Sequence, residues 1–296
     1  MITIYTHNPK PTSLEFWRYF VSRYILGRRR GPDSVKESLI RGLYEAGVSF
    51  SLDVPKPSGN VIVLSGISAL EENIEAKKNG VIKKLIAGPN IVVDPRDSGG
   101  IICHDAIDIV LTPSNWTAAY WRASAPEIAD KIRVWAAGIS IHQPSDKTGS
   151  VIIYDKILDE SLVEKIKLEV EKHSGKPALI FTYGSFQRKD YLKALETAPA
   201  MIYLSRSESQ GLALFEAWSY DVPTIVNLSE IWQSEDHIWK APLINAPYLN
   251  DELGLVFQDT RDIPDLLEVA KDLRPKVFCD KNFSDAISAR KLLELL

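Results

Sequence analysis

Short runs of apolar, largely β-branched residues alternate along this chain with stretches whose apolar positions recur every three or four residues. That alternation predicts parallel sheets with helices packed on their faces. In the first half the pattern predicts strands at Ile2–Tyr5, Val48–Leu52, Val61–Leu64, Ile91–Asp94, Ile107–Thr112 and Ile132–Trp135. Ser34 and Glu37 have the spacing of a capping box, in which each side chain satisfies the other's orphan amide. Val35, Leu39 and Leu43 then continue at helical spacing. A second helix is expected after Ser114, running through Trp121.

The stretch GISIHQPSDKTG, Gly138 to Gly149, is rich in turn formers and separates two strand–helix series. The second series predicts strands at Val151–Tyr154, Ala178–Thr182, Met201–Leu204 and Thr224–Asn227. Helices are expected over Leu158–His173, Lys189–Ala198, Leu212–Tyr220 and Ile263–Leu273, with a last amphipathic segment at Ser284–Leu295. The expected organisation is a first α/β domain over 1–140, a second over 141–280, and a C-terminal helix within 281–296 that packs back on the first. Two such domains facing each other place a ligand in the crevice at the C-terminal ends of their strands.

Composition narrows the field. At 296 residues, the chain is long enough for two ordinary domains, and 45% apolar with 25% charged residues is the balance of a soluble globular protein. A net charge of -4 argues against general nucleic-acid binding. Cys103 and Cys279 are too few for a disulfide framework or a zinc site, which points to a reduced, cytoplasmic setting. The start MITIYTHNPKP lacks the form of a signal peptide, and no apolar run approaches the roughly 20 residues needed to span a bilayer. One segment departs from this mild charge pattern. Glu15–Gly31 mixes five aromatic residues with Arg18, Arg23, Arg28, Arg29 and Arg30, as a surface for anionic lipid or a core-facing helix would.

The run MIYLSRSESQGLALFEAWSYDVPTIV, Met201 to Val226, reads strand, polar loop, helix, turn, strand. Its loop ends at a helix N-terminus, where outward backbone amides and the helix dipole favour anions. Gly211 allows a ligand to approach the backbone there. Glu208 lies in the loop, and Glu216 about a turn and a half into the helix. Flanked by Leu212, Ala213, Leu214, Phe215, Ala217 and Trp218, Glu216 needs a hydrogen-bonding partner, a cleft or a narrow solvent stripe.

The string Glu208-Ser-Gln-Gly-Leu-Ala-Leu-Phe-Glu216 resembles the paired glutamates of retaining glycosyltransferases of the GT-B fold, in the family 4-like group (group 1). Further pieces resemble that family in order: VLTPSNW (Val110–Trp116), RVWAAGISI (Arg133–Ile141), RGPDSVKESLIRGLYEAG (Arg30–Gly47) and TYGSFQRKDYLKAL (Thr182–Leu195). The resemblance implies two Rossmann-like domains facing a cleft, with the second shortened. It implies a sugar transferred with retention from a nucleoside-diphosphate donor to a saccharide or lipid-linked acceptor, as in polysaccharide biosynthesis. On its pattern Glu216 binds the ribose hydroxyls and Glu208 lies beside the donor sugar. Gln210, Gly211 and Leu212 supply the loop and its amides, Gly184 the glycine loop near the base, and Gly31 the glycine turn of the first domain. A carboxylate suits a vicinal diol because it accepts two hydrogen bonds at once.

Lys156, at the end of the first strand of the second series, resembles the family's basic phosphate-binding residue. Arg188 and Lys189 are further cations near it in the pattern. No Asp-x-Asp pair sits at a strand end and no cluster has metal-ligand spacing, so no metal or other cofactor is expected. Asp94 and Asp97, with Arg96 between them, are candidates for the acceptor side, or simply a solvated loop. His7 and His104 are single histidines with bland structural readings. The chain departs from the family at Ser209 and Asp221, where glycines are usual, and in an insertion at Asn8–Gly27. Other readings consistent with these features are a degenerate nucleotide-sugar-binding partner subunit, or an epimerase or phosphorylase on the same fold.

Overall fold

The computed structural model describes residues 2–6, 31–143, 145–234 and 237–296. These divide into two compact units, Met1–Gly138 with Asp285–Leu296, and Ile139–Ser284. The expected basic-aromatic segment, apart from Gly31, and His7 lie outside the described residues.

The first unit is a six-stranded sheet in the order β2-β1-β3-β4-β5-β6, all parallel. Its strands are β1 (Ile2–Tyr5), β2 (Phe50–Leu52), β3 (Gly59–Ser65), β4 (Ile82–Asn90), β5 (Ile109–Thr112) and β6 (Ile132–Val134). Around them run α1 (Gly31–Glu45), α2 (Ile67–Lys78) and α3 (Asn115–Ser124). Ser114 caps α3 in a reciprocal box with Thr117.

Two expectations fail here for identifiable reasons. The strand expected at Ile91–Asp94 is instead β4, which ends at Asn90. Gly88 and Pro89 read as turn formers, yet they lie in the last residues of a buried strand. Ser34 is inside α1 rather than capping it, because the helix already begins at Gly31 with Pro32 in its first turn. The helix Ile67–Lys78 carried no recognised cap: Gly66 precedes it at φ 96° with no side-chain cap bond.

The second unit is a five-stranded parallel sheet in the order β13-β10-β9-β7-β8. The strands are β7 (Ile152–Asp155), β8 (Leu179–Thr182), β9 (Met201–Leu204), β10 (Thr224–Asn227) and β13 (Gly254–Phe257). A two-stranded antiparallel ribbon, β11 (Ile231–Gln233) and β12 (Ile238–Lys240), stands outside it. Helices α4 (Glu160–Ser174) and α7 (Ile263–Ala270) pack on one face, through Val163, Ile166, Val170, Ile263 and Leu267 against Ile153, Ile202, Leu204 and Ile225. Strands covered on both faces read as unbroken apolar runs, which is why IIY, MIYL and TIV stand out in the sequence. The other helices are α5 (Arg188–Thr197), α6 (Leu212–Ser219) and α8 (Pro275–Phe283).

The last helix, α9 (Asp285–Leu293), belongs to the first unit. Arg41 of α1 donates to the buried Asp285 carboxylate at 2.6 Å. Gly42 lies so near that a Cβ there would meet the Asp285 carbonyl oxygen at 2.1 Å, so only glycine permits this helix contact.

Candidate functional site

Renumbered by sequence, the second sheet has the order 2-1-3-4-5, and its crossovers reverse direction between β7 and β9. In open α/β sheets ligands bind outside the carboxyl ends of the strands at such a switch point. The residues immediately after β7 and β9 therefore line the candidate site.

Side chains alternate across a pleated strand, and the parallel register aligns neighbours into rungs. Tyr154 is aligned with Phe181 on one side and Tyr203 on the other. The ladder continues one residue past each strand, since Lys156 N donates to the Leu204 carbonyl and Tyr183 N to the Asp155 carbonyl, each at 2.8 Å. Two residues beyond that aromatic rung, Tyr183, Lys156 and Ser205 thus form the lip on the same face.

Glu208 completes this lip. Its Oε1 accepts from Lys156 Nζ at 2.5 Å, from the Tyr203 hydroxyl at 2.6 Å and from the Ser205 hydroxyl at 3.0 Å. Lys156 Nζ also lies 4.8 Å from the centre of the Tyr183 ring, a cation–π contact. The loop carrying Glu208 is pinned from behind. Asn227 accepts from Ser205 N at 3.0 Å and donates to the Ser205 carbonyl at 3.1 Å. Asn245, fully buried, donates to the same carbonyl at 3.1 Å and to Asn227 O at 2.7 Å, and Glu208 N donates to Ile244 O at 3.0 Å.

Glu216 sits in α6 among side chains with no exposure, and is itself 9% exposed. Its partner is Arg188, at the first position of α5, whose Nε donates to Oε1 at 2.8 Å and whose Nη2 donates to the same oxygen. The sequence marked Arg188 as a further cation near Lys156; the fold turns it onto the buried carboxylate of Glu216. Lys189 beside it is exposed. Gly211 caps α6 at φ +87°, a left-handed conformation that suits glycine, and Leu212 opens the helix. Gln210 is 4% exposed, and Gly184 stands at φ +86° in the exposed turn after β8.

Asp221, just past α6, has φ +61°, the left-handed position where glycine is usual. Its carboxylate accepts from Lys276 N at 3.0 Å, a bond glycine would lack. That bond offsets part of the backbone strain.

In the first unit Asp94 accepts from Tyr120 Oη and, at 2.8 Å, from Arg96 N, while exposed Asp97 accepts from Asp94 N at 2.9 Å. These bonds tie the turn together. Gly31 is the exposed first residue of α1. His104 likewise serves its own loop, accepting from Ala106 N at 3.0 Å. Among the described residues, no group of three or more His, Cys, Asp or Glu side chains is arranged to hold a metal ion. Nor is any helix of the described residues long and apolar enough to cross a membrane.

Under the carboxylates lies a floor of rings. Tyr154 stacks on Tyr203 at 5.3 Å and meets Tyr191 and Phe186 edge-on at 5.2 and 5.5 Å. Burial, reinforced by the glutamates, pushes the hydroxyls of Tyr154, Tyr191 and Tyr203 well above the ordinary tyrosine value. The unfolded chain would ionise these tyrosines near pH 10 while the folded protein holds them neutral. The folded state then binds more protons, so stability present below pH 10 is lost as pH rises beyond it. Each tyrosine contributes a slope of about 1.4 kcal/mol per pH unit. Alkaline titration should show these three tyrosinates appearing together with loss of helical circular dichroism, not before it.

No protein-family model matches the sequence, and no curated protein matches it either. Solved structures do match the fold. The apo lipopolysaccharide outer core galactosyltransferase WaaB aligns with a TM-score of 0.58 at 12% identity, over 99% of this chain and 98% of that one. Sucrose-phosphate synthase from Thermosynechococcus elongatus aligns with a TM-score of 0.58 at 10% identity, over 99% and 98%. A chain of the Glycosylation Associate Protein (Gap123) complex from Streptococcus agalactiae aligns with a TM-score of 0.54 at 12% identity, over 82% of this chain and 54% of that one. This chain spans about half the length of the last. At such identities the likeness is one of fold. The chain has the GT-B fold, two Rossmann-like α/β units with parallel sheets.

Proposed function

We propose that this protein is a retaining, metal-independent glycosyltransferase that moves a sugar from a nucleoside diphosphate to a saccharide or lipid-linked acceptor at the cytoplasmic side. One observation carries the reading. Two nearly buried carboxylates, Glu208 and Glu216, each held by a cation, stand at the switch point of the second sheet beside a helix N-terminus.

Glu216 takes the ribose diol and Glu208 the hydroxyls of the donor sugar. Lys156 and Arg188 keep donors to spare after pairing, since an ammonium has three and a guanidinium five. Those donors, with the amides opening α6 at Gly211 and Leu212, meet the diphosphate. Gln210 holds the loop, Gly184 gives the base room beside β8, and Gly31 plays the corresponding part in the first unit. In the reaction the bond from the anomeric carbon to the diphosphate breaks, and one to the acceptor oxygen forms on the same face. The acceptor proton passes to the departing diphosphate, whose charge Lys156 and the helix N-terminus stabilise. Asp94 and Asp97, both bonded within their own turn, are the acceptor-side candidates of this reading. Docking on anionic lipid through Glu15–Gly31 belongs to the same reading.

The test is release of free nucleotide from a panel of nucleotide-sugars in the presence of saccharide and lipid-linked acceptors. Release should persist in EDTA, and the product should keep the donor's anomeric configuration by NMR. Complete dependence on a divalent ion, or an inverted product, would contradict the mechanism. A second reading, a donor-binding subunit without turnover, is favoured by the likeness to the Gap123 chain and by Ser209. Donor binding with no release from any acceptor would support it.

A further inference from the structure

Arg188 and Glu216 stand on different helices, so their meeting depends on how α5 lies beside α6. The two helices are tied at successive levels. Arg188 donates to Glu216 at 2.8 Å from the first position of α5, and the Tyr191 hydroxyl donates to the Ala213 carbonyl at 2.9 Å. At the far end of α5 the tie is Lys147, from the turn-rich stretch before β7. Its Nζ donates to the Tyr220 carbonyl at 2.6 Å, to Leu195 O at 3.2 Å and to Glu196 O at 3.3 Å.

An ammonium has three N–H donors, and here it meets three carbonyls. They belong to the last turn of α5 and to the residue just past α6, where carbonyls lack intrahelical partners. Each end is the negative pole of a helix dipole, so the two repel unless a cation stands between them. Burial, opposed by Asp221, pushes the ammonium below the ordinary lysine value, so holding a charge there has a cost. The stretch is attached without that charge. Ser145 Oγ donates to the Glu196 carbonyl, Gly149 N to Thr197 O at 2.8 Å, and His142 N to Ser219 O at 3.1 Å. The His142 ring also stacks on Tyr220 at 3.8 Å. What Lys147 adds to these bonds is one atom that joins both helices.

We propose that Lys147 is a positioning residue for the donor site: it sets the spacing of the C-terminal ends of α5 and α6, and through it the alignment of Arg188 with Glu216. The proposal rests on the role of Glu216 at the ribose given under Proposed function. A helix moves as a rod, and α5 is about 15 Å long, so a change of spacing at Lys147 tilts the end that carries Arg188. Glu216 lies about one turn before Tyr220 and shifts with that carbonyl. A binding constellation must be held within about 0.5 Å of its productive geometry, so modest shifts at these ends matter.

Lys147→Met removes the charge and keeps the stem. Titration calorimetry compares the preferred nucleoside diphosphate with its 2′,3′-dideoxy counterpart, well below every unfolding midpoint. The wild type should favour the natural form at least about tenfold. In Lys147→Met that preference should fall to about threefold or less, with the dideoxy form bound nearly as in the wild type. Val163→Ala, in the core cluster of α4 and α7, lowers the midpoint by opening a cavity and should keep the full preference. Wild-type preference in Lys147→Met would overturn the proposal, and so would an equal loss in Val163→Ala. Lys147→Arg covers the case in which methionine leaves the protein unfolded. It keeps the charge, so the midpoint should stay near that of the wild type, while its wider fork sets a different spacing and lowers the preference. Full preference in that variant would overturn the proposal as well. If the wild type does not distinguish the two nucleotides, the proposed function falls and this proposal with it. If the wild type distinguishes them and Lys147→Met does so equally, only this proposal falls.

Discussion

Glu216→Ala should weaken binding of the preferred nucleoside diphosphate by at least about 100-fold, equivalent to about 2.7 kcal/mol. Two losses add. The ribose diol loses an acceptor that takes both of its hydroxyls, and each hydrogen bond to a charged group is worth about 1.5–3 kcal/mol. Arg188 meanwhile loses the partner that its Nε holds at 2.8 Å. Its side chain is 32% exposed, so water compensates part of that loss and the protein should still fold. Glu216→Gln separates the two effects. It keeps the volume and one acceptor oxygen in a helix otherwise buried, and should retain more stability than alanine while still binding poorly. Paired titration calorimetry and thermal unfolding of both variants check this.

Lys156→Met should act on turnover rather than folding, lowering kcat by about 100- to 1,000-fold at saturating donor. The ammonium stands on the lip after β7, paired with Glu208, and in the proposed reaction its charge matters most when the leaving diphosphate gains negative charge. Methionine keeps an apolar stem against the Tyr183 ring. Glu208 keeps the Tyr203 and Ser205 hydroxyls, so its loop should stay in place. Lys156→Arg should recover part of the rate because it restores the charge with different geometry. A loss confined to KM, with kcat intact, would show that Lys156 binds donor and transition state equally.

Much of this arrangement was legible in the chain, and what was hidden was hidden for physical reasons. The strands β7, β9 and β10 stand out because burial on both faces makes them uninterrupted apolar runs. By contrast β4 carries Gly88 and Pro89, residues that ordinarily punctuate strands, and β13 is a four-residue GLVF between loops. The short ribbon β11–β12 and the helix α8 were likewise unforeseen.

At the site, Glu208 and Glu216 were visible because both lie in one strand–loop–helix segment. Their pairing was not. Arg188 is 28 residues from Glu216 and Lys156 is 52 from Glu208, and only the sheet order brings them together. The sequence anticipated that a carboxylate inside an apolar helix needs a partner without showing which cation supplies it. Asn227 and Asn245, which clamp the Glu208 loop, carry no local signal at all. Tyr154, Tyr183 and Ser205 lay within reach of reasoning. Once β7, β8 and β9 are taken as adjacent parallel strands, their C-terminal residues must share rungs.

Recognition of a ribose by the Glu216 carboxylate of α6 is the centre of the proposed function. Its most direct test is calorimetric titration of wild type and Glu216→Ala with the preferred nucleoside diphosphate and its 2′,3′-dideoxy counterpart. The wild type should bind the natural nucleotide in the micromolar-to-millimolar range and the dideoxy form at least about tenfold more weakly. Glu216→Ala should bind both weakly and alike, so the discrimination disappears with the carboxylate. A wild type indifferent to the ribose hydroxyls, or a Glu216→Ala variant that still distinguishes them, would contradict the account.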